Sequence, residues 1–137
     1  MTAPFLLDTN IASFILKGAS TPLQAKMRSL PLSQLAVSAI TEAEMRFGAA
    51  RRPQATKLAA LVENFLAHVN VLPWTSDCAI AYAKLRATLE MRGESLGNMD
   101  MLIAAHALSI DGTLVTNDAA LLRLSPLVKT ADWTSDG

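Results

Sequence analysis

Five apolar runs in this 137-residue chain are only two to four residues long, and stretches with helical spacing lie between them. That alternation constrains the fold more than any other feature. Strands this short and this uniformly apolar suit a parallel sheet with both faces covered. Strands alternating with helices make a layered α/β structure. In such sheets ligands bind beyond the carboxyl ends of the strands, so the residues that follow each run are the ones to inspect.

The runs are Phe5–Leu7, Leu35–Ser38, Val71–Leu72, Leu114–Thr116 and Leu127–Lys129. The spacing predicts helices over Ile11–Lys17, Leu23–Leu30, Thr41–Ala50, Ala55–His68, Ser76–Met91, Asn98–Ile110 and Ala119–Leu124. Gly18 and Gly93 read as C-terminal stops, and Pro22 as a helix start. On Ser76–Met91 the apolar side reads as Ala79, Tyr82, Ala83, Leu85 and Leu89. No linker, repeat or low-complexity segment divides the chain, so residues 1–137 read as one domain of ordinary size.

Composition narrows the class. At 51% apolar and 18% charged, the chain is too hydrophobic for disorder. Twelve Lys and Arg balance twelve Asp and Glu, which excludes a histone-like polycation but not a local basic patch. Cys78 is the only cysteine, which excludes a disulfide framework and a thiolate zinc site. With no visible secretory signal and no apolar run near bilayer length, a cytoplasmic protein is expected.

Four acids stand at strand ends or in early helical turns. Asp8 follows the first run in LLDTN, and Glu44 lies in SAITEAEMRFG. Asp100 opens the apolar helix of GNMDMLIAAHAL, and Asp118 closes LVTND. Each has a structural reading. Asp8 or Asn10, and Asn117 or Asp118, can cap helices. Thr41 and Glu44 fit a capping box, and Asp100 suits a helix dipole. Gathered at one end of a sheet, however, they would repel one another and raise their pKa values unless a cation intervened. Oxygen donors without His or Cys select Mg²⁺ or Mn²⁺, whose usual chemistry with such sites is hydrolysis of a phosphodiester. With these acids neutralised, the remaining surface is net basic, as RNA requires.

These four blocks, in this order and spacing over nearly the whole chain, resemble PIN-domain ribonucleases, and more closely the VapC-type toxins of bacterial toxin–antitoxin modules. The resemblance implies a three-layer PIN-like α/β sandwich, with a short, mostly parallel sheet of four to five strands flanked by helices. It places Asp8, Glu44 and Asp100 on the family's metal-binding acids and Asp118 on a fourth, more variable one. Thr116 falls on an active-site hydroxyl, and Asn10 on the polar residue after the first acid. The implied activity is Mg²⁺- or Mn²⁺-dependent RNA cleavage, with tRNA as a substrate by family analogy. The implied partners are a small VapB-like antitoxin and a second copy of the chain, in a homodimer or a hetero-oligomer. Ser95 and Met99 depart from the family's pattern in the loop before Asp100, where they would alter loop stiffness or substrate fit.

Other residues have plainer readings. Arg46 and Arg86 are candidates for RNA phosphate; otherwise they belong to an ordinary solvated face or pair with acids across a dimer. His106 lies six residues after Asp100, about 240° around the helix, and so reads as structural. His68 suits a helix C-terminus, Cys78 a core position, and Trp74 and Trp133 packing. Ile11, Phe14, Ile15, Leu23 and Met27 serve either the core or a groove for a partner helix. A receiver-like signalling domain also sets acids and Mg²⁺ at strand ends. The chain lacks its acidic pair after the first strand and its acceptor Asp after a middle one, since Pro73-Trp74 follows Val71-Leu72.

Overall fold

A computed structural model describes residues 4–18 and 20–135 of the chain. Its strands are β1 (Phe5–Leu7), β2 (Leu35–Ser38), β3 (Asn70–Leu72), β4 (Thr113–Val115) and β5 (Lys129–Ala131). Its helices are α1 (Thr9–Lys17), α2 (Thr21–Arg28), α3 (Ala39–Ala50), α4 (Thr56–His68), α5 (Ser76–Met91), α6 (Asn98–Ser109) and α7 (Ala119–Leu122). A single 3₁₀ turn, Leu32–Gln34, leads into β2.

The strands form one parallel sheet in the order β3-β2-β1-β4-β5. Leu6 stands beside Ala36 on one neighbour and Leu114 on the other. Alternation then sorts side chains to the two faces. Leu6, Ala36 and Leu114 meet Leu85 and Leu89 of α5, Ile103, Ala104 and Ala107 of α6, and Leu121 of α7. Leu7, Leu35, Val37 and Val115 meet Ile11 of α1, Leu23 of α2, Met45 of α3, and Val62 and Phe65 of α4. The result is a three-layer sandwich, and the double covering explains why the strand runs are apolar throughout. The order also differs from the 2-1-3-4-5 sheet of receiver-type domains.

Several boundaries move for identifiable reasons. α1 starts at Thr9 because Asp8 caps it directly, and Ser20 caps α2 ahead of Pro22. α3 starts at Ala39 under a Ser38 cap, which places Glu44 in the second turn. The expected Thr41–Glu44 capping box is therefore absent. The last strand lies two residues later than the apolar run suggests. Leu127 and Val128 turn into the core, and Lys129–Ala131 pairs with β4. On α5 the buried stripe is Cys78, Ala81, Leu85 and Leu89, while Ala79 and Ala83 face out. Alanine marks neither face, so the stripe was ambiguous there. Ile11 and Leu23 are wholly buried, with Phe14, Ile15 and Met27 packed against the same core, so the core takes all five.

Gly18 ends α1 and Gly93 follows α5, both with positive φ, as their stop role requires. Gly112 is required by space. A Cβ there would lie 2.8 Å from the Pro4 carbonyl oxygen, which accepts the Thr113 N–H. Gly112→Ala is expected to cost about 1–3 kcal/mol through this overpacking, seen as a lowered thermal midpoint. An unchanged midpoint would show that the strand entry yields freely. Among the described residues no helix is long and apolar enough to cross a membrane.

Candidate active site

β1 is central because the chain builds β2 and β3 on one side of it and β4 and β5 on the other. The crevice at such a reversal is where parallel sheets bind ligands. Here it lies between the carboxyl ends of β1 and β4, where Asp8 and Thr116 follow directly. The Asp8 N–H donates to the Val115 carbonyl at 3.0 Å, carrying the β1–β4 ladder one residue further.

Asp8 is 3% exposed. Its Oδ1 accepts the Ile11 N–H at 2.8 Å and so caps α1. Thr116 is wholly buried. Its hydroxyl accepts the Asp118 N–H at 3.0 Å, and its nearness to the Asp8 carboxylate favours the ionised form of that acid. Asp118 is half-buried and caps α7, with Oδ1 accepting the Leu121 N–H at 3.1 Å. Asp100 lies half-buried in the first turn of α6, beside the Gly97 cap residue, which has no side chain to offer. Glu44 is half-buried on α3, and its Oε1 accepts the Thr9 hydroxyl at 2.6 Å.

The acids sense one another. Burial is the main force holding the Asp8 pKa above its ordinary value near 3.8. Bonds from Thr116 and the Ile11 N–H oppose that rise, and the charges of Asp100 and Asp118 add to it. Asp100 is likewise raised, by burial first and then by Asp118 and Glu44. The cap and cluster roles therefore coexist. A carboxylate has two oxygens, and at Asp8 and Asp118 the cap uses one.

Among the described residues, no three Asp, Glu, His or Cys side chains stand in an arrangement that could hold a metal ion as they lie. The donor chemistry is nevertheless that of a hard divalent cation, because the four acids, coupled to one another through Asp100, supply only oxygen. A divalent charge would relieve the repulsion that adds to the effect of burial on Asp8 and Asp100.

The other candidates lie apart. Asn10 is exposed on α1. Arg46 is exposed on α3 and bonded to Glu42 at 3.0 Å and to Glu63. Arg86 donates to Glu90 at 3.2 Å and to the Tyr82 hydroxyl at 2.7 Å. Both guanidiniums thus use donors within the chain. His106 is buried, its Nδ1 lies 2.7 Å from Ser38 Oγ, and burial lowers its pKa, favouring the neutral ring. Since Ser38 Oγ also accepts the Ile40 N–H, this pair ties α6 to the start of α3. Cys78 is buried, Trp133 packs edge-on to Phe5, and Trp74 Nε1 donates to the Leu102 carbonyl. Thr9 and Ser38 were not legible as site residues. Their partners lie 35 and 68 positions away, a separation that no local pattern encodes.

Comparison with known proteins agrees with this fold. The family model described as "PIN domain" matches residues 5–126. The tRNA(fMet)-specific endonuclease VapC of Salmonella typhimurium is 31% identical over 129 residues, covering 94% of this chain and 97% of that protein. Ribonuclease VapC2 of Rickettsia felis is 28% identical over 130 residues, covering 94% and 97%. The crystal structure of DNA-bound VapBC from Salmonella typhimurium superposes with a TM-score of 0.87 at 31% identity, covering 97% of this chain and 99% of that one.

Proposed function

The chain belongs to the PIN-domain family, among its VapC ribonucleases, and from that premise we propose that it is a metal-dependent endoribonuclease acting as the toxin of a toxin–antitoxin pair. The observation that supports the reading is that Asp100 is electrostatically coupled to Asp8, Asp118 and Glu44, with Asp8 and Asp100 both raised by burial first and by their acidic neighbours next. Asp8, Glu44, Asp100 and Asp118 would hold Mg²⁺ or Mn²⁺. Such an ion lowers the pKa of water and stabilises charge developing on a phosphoryl oxygen.

The chain's own residues do the positioning. The Thr116 hydroxyl, fixed by the Asp118 N–H, stands near the Asp8 carboxylate, so the β4 end supports the β1 acid. The capped oxygens of Asp8 and Asp118 are held by backbone, which leaves each acid one oxygen for the site. Water attacks the phosphorus and the 3′-oxygen leaves with a proton, giving a 5′-phosphate and a 3′-hydroxyl without a covalent intermediate. Asn10, Arg46 and Arg86 would contact RNA, the two arginines by exchanging their acidic partners for phosphate.

The structural relatives include VapBC complexes, which supports a small VapB-like antitoxin and an oligomeric assembly for this protein. A groove of about 510 Å³ runs between α1, α3 and α4. Leu16, Phe47, Leu58 and Leu61 line it, and Arg51 and Arg52 edge it, so an amphipathic antitoxin segment suits it.

The test uses purified protein and a panel of structured RNAs that includes initiator tRNA, the substrate named for the Salmonella relative. Cleavage is expected with Mg²⁺ or Mn²⁺, to stop with EDTA, and to return with excess metal. Cleavage that survives chelation, or 2′,3′-cyclic phosphate ends, would overturn the mechanism.

A further inference from the structure

The Thr9 hydroxyl lies 2.6 Å from Glu44 Oε1 and 3.1 Å from Thr41 Oγ1. A hydroxyl has a single proton, and an ionised carboxylate can only accept. The Thr9 proton is therefore spent on Glu44, and Thr41 must be the donor to Thr9. Thr41 is wholly buried, so water does not compete for its proton. The result is a one-way chain of hydrogen bonds, from Thr41 through Thr9 to Glu44.

Its placement matters more than its strength. Thr9 is the first residue of α1 and adjoins Asp8 in the chain, while Thr41 and Glu44 lie three residues apart on α3. Thr9 is thus covalently next to one acid and hydrogen-bonded to another. It sets how the α3 acid stands relative to the β1 acid.

We propose that Thr9 is a positioning residue that holds the Glu44 carboxylate, with Oε1 occupied and the other oxygen available, in the orientation that receives a divalent cation. This rests on the metal-dependent reading above. It assigns the LLDTN segment two tasks, because Asp8 faces the crevice and Thr9 orders the acid across from it. Loss of the hydroxyl would free Glu44 to rotate, so that its ordering would have to accompany cation binding.

The experiment titrates Mn²⁺ alone, by calorimetry and without RNA, into metal-free wild type, Thr9→Val and Thr9→Ser. Valine keeps the shape and removes the donor, and serine keeps the donor. Thr9→Val is expected to bind Mn²⁺ about 10–100-fold more weakly, the usual cost of losing a partner of a metal ligand. Thr9→Ser is expected to stay within about threefold of wild type because the proton remains. In cleavage assays the Mn²⁺ needed for half-maximal rate should rise with Thr9→Val. If Thr9→Val does not fold, as its melting curve would show, Thr9→Ala carries the same expectation. Binding by Thr9→Val as tight as wild type, or tighter, overturns the proposal, and so does a serine variant as weak as the valine one. If wild type binds no Mn²⁺ and cleaves RNA without it, the metal-dependent reading falls and takes this one with it. If wild type binds and uses Mn²⁺ while Thr9→Val matches it, only the role of Thr9 falls.

Discussion

Asp8→Asn is expected to lower RNA cleavage by at least about 100-fold, because losing even an outer partner of a metal ligand costs 10–100-fold and Asp8 stands inside the cluster. The variant separates charge from structure. Asn caps helices as well as Asp does, so the bond to the Ile11 N–H survives. The fold should therefore hold, and the sign of the stability change follows from the raised pKa. A carboxyl with a folded pKa above its unfolded value stabilises the fold below the unfolded pKa, and loses that contribution as pH rises through the folded value. At neutral pH the Asp8 carboxyl is therefore a cost to the metal-free protein, and Asn removes it. Metal-free Asp8→Asn should melt at or above the wild-type temperature at pH 7, with the difference shrinking toward about pH 4. Added Mg²⁺ should stabilise wild type more than the variant. Activity retained by a folded Asp8→Asn protein would remove Asp8 from the mechanism.

Leu6→Ala should carry the largest stability cost, about 3–5 kcal/mol. Leu6 is wholly buried on the central strand, next to Ala36 on one side and Leu114 on the other. Ala36 has only a methyl group, too short to fill the gap, and Ile103 and Ala104 of α6 pack in the same core. α6 also carries Asp100, so the change should weaken the site as well as the fold. Urea unfolding measures it, and a loss below about 1 kcal/mol would mean that the layers collapse onto the cavity. Against a typical total of 5–15 kcal/mol, the expected loss leaves a marginal domain.

Much of the candidate site is legible along the chain because its acids interrupt apolar patterns. Asp8 ends a strand run, Asp118 follows another, and Asp100 opens a helix that is otherwise apolar. The sequence posed capping and clustering as alternatives at Asp8 and Asp118, whereas the geometry joins them by giving each oxygen its own task. At Glu44 the capping-box reading fails because Ser38 caps the helix three residues before Thr41. Arg46 and Arg86 read either as phosphate contacts or as plain surface charges, and the structure pairs both within the chain, Arg46 with Glu63 from another helix. Such partners depend on how α3 and α4 pack.

The sequence by itself determined the layered α/β class, the place of nearly every helix and the acids that end its strands. These follow from burial and periodicity, which act over a few residues at a time. Only the tertiary structure decided the strand order, and with it the meeting of Asp8 and Thr116 at the crevice. It alone decided that Thr9 would reach Glu44 and that His106 would bond Ser38. Strand order and those contacts join residues tens of positions apart, and the energy that selects them comes from the whole packed core.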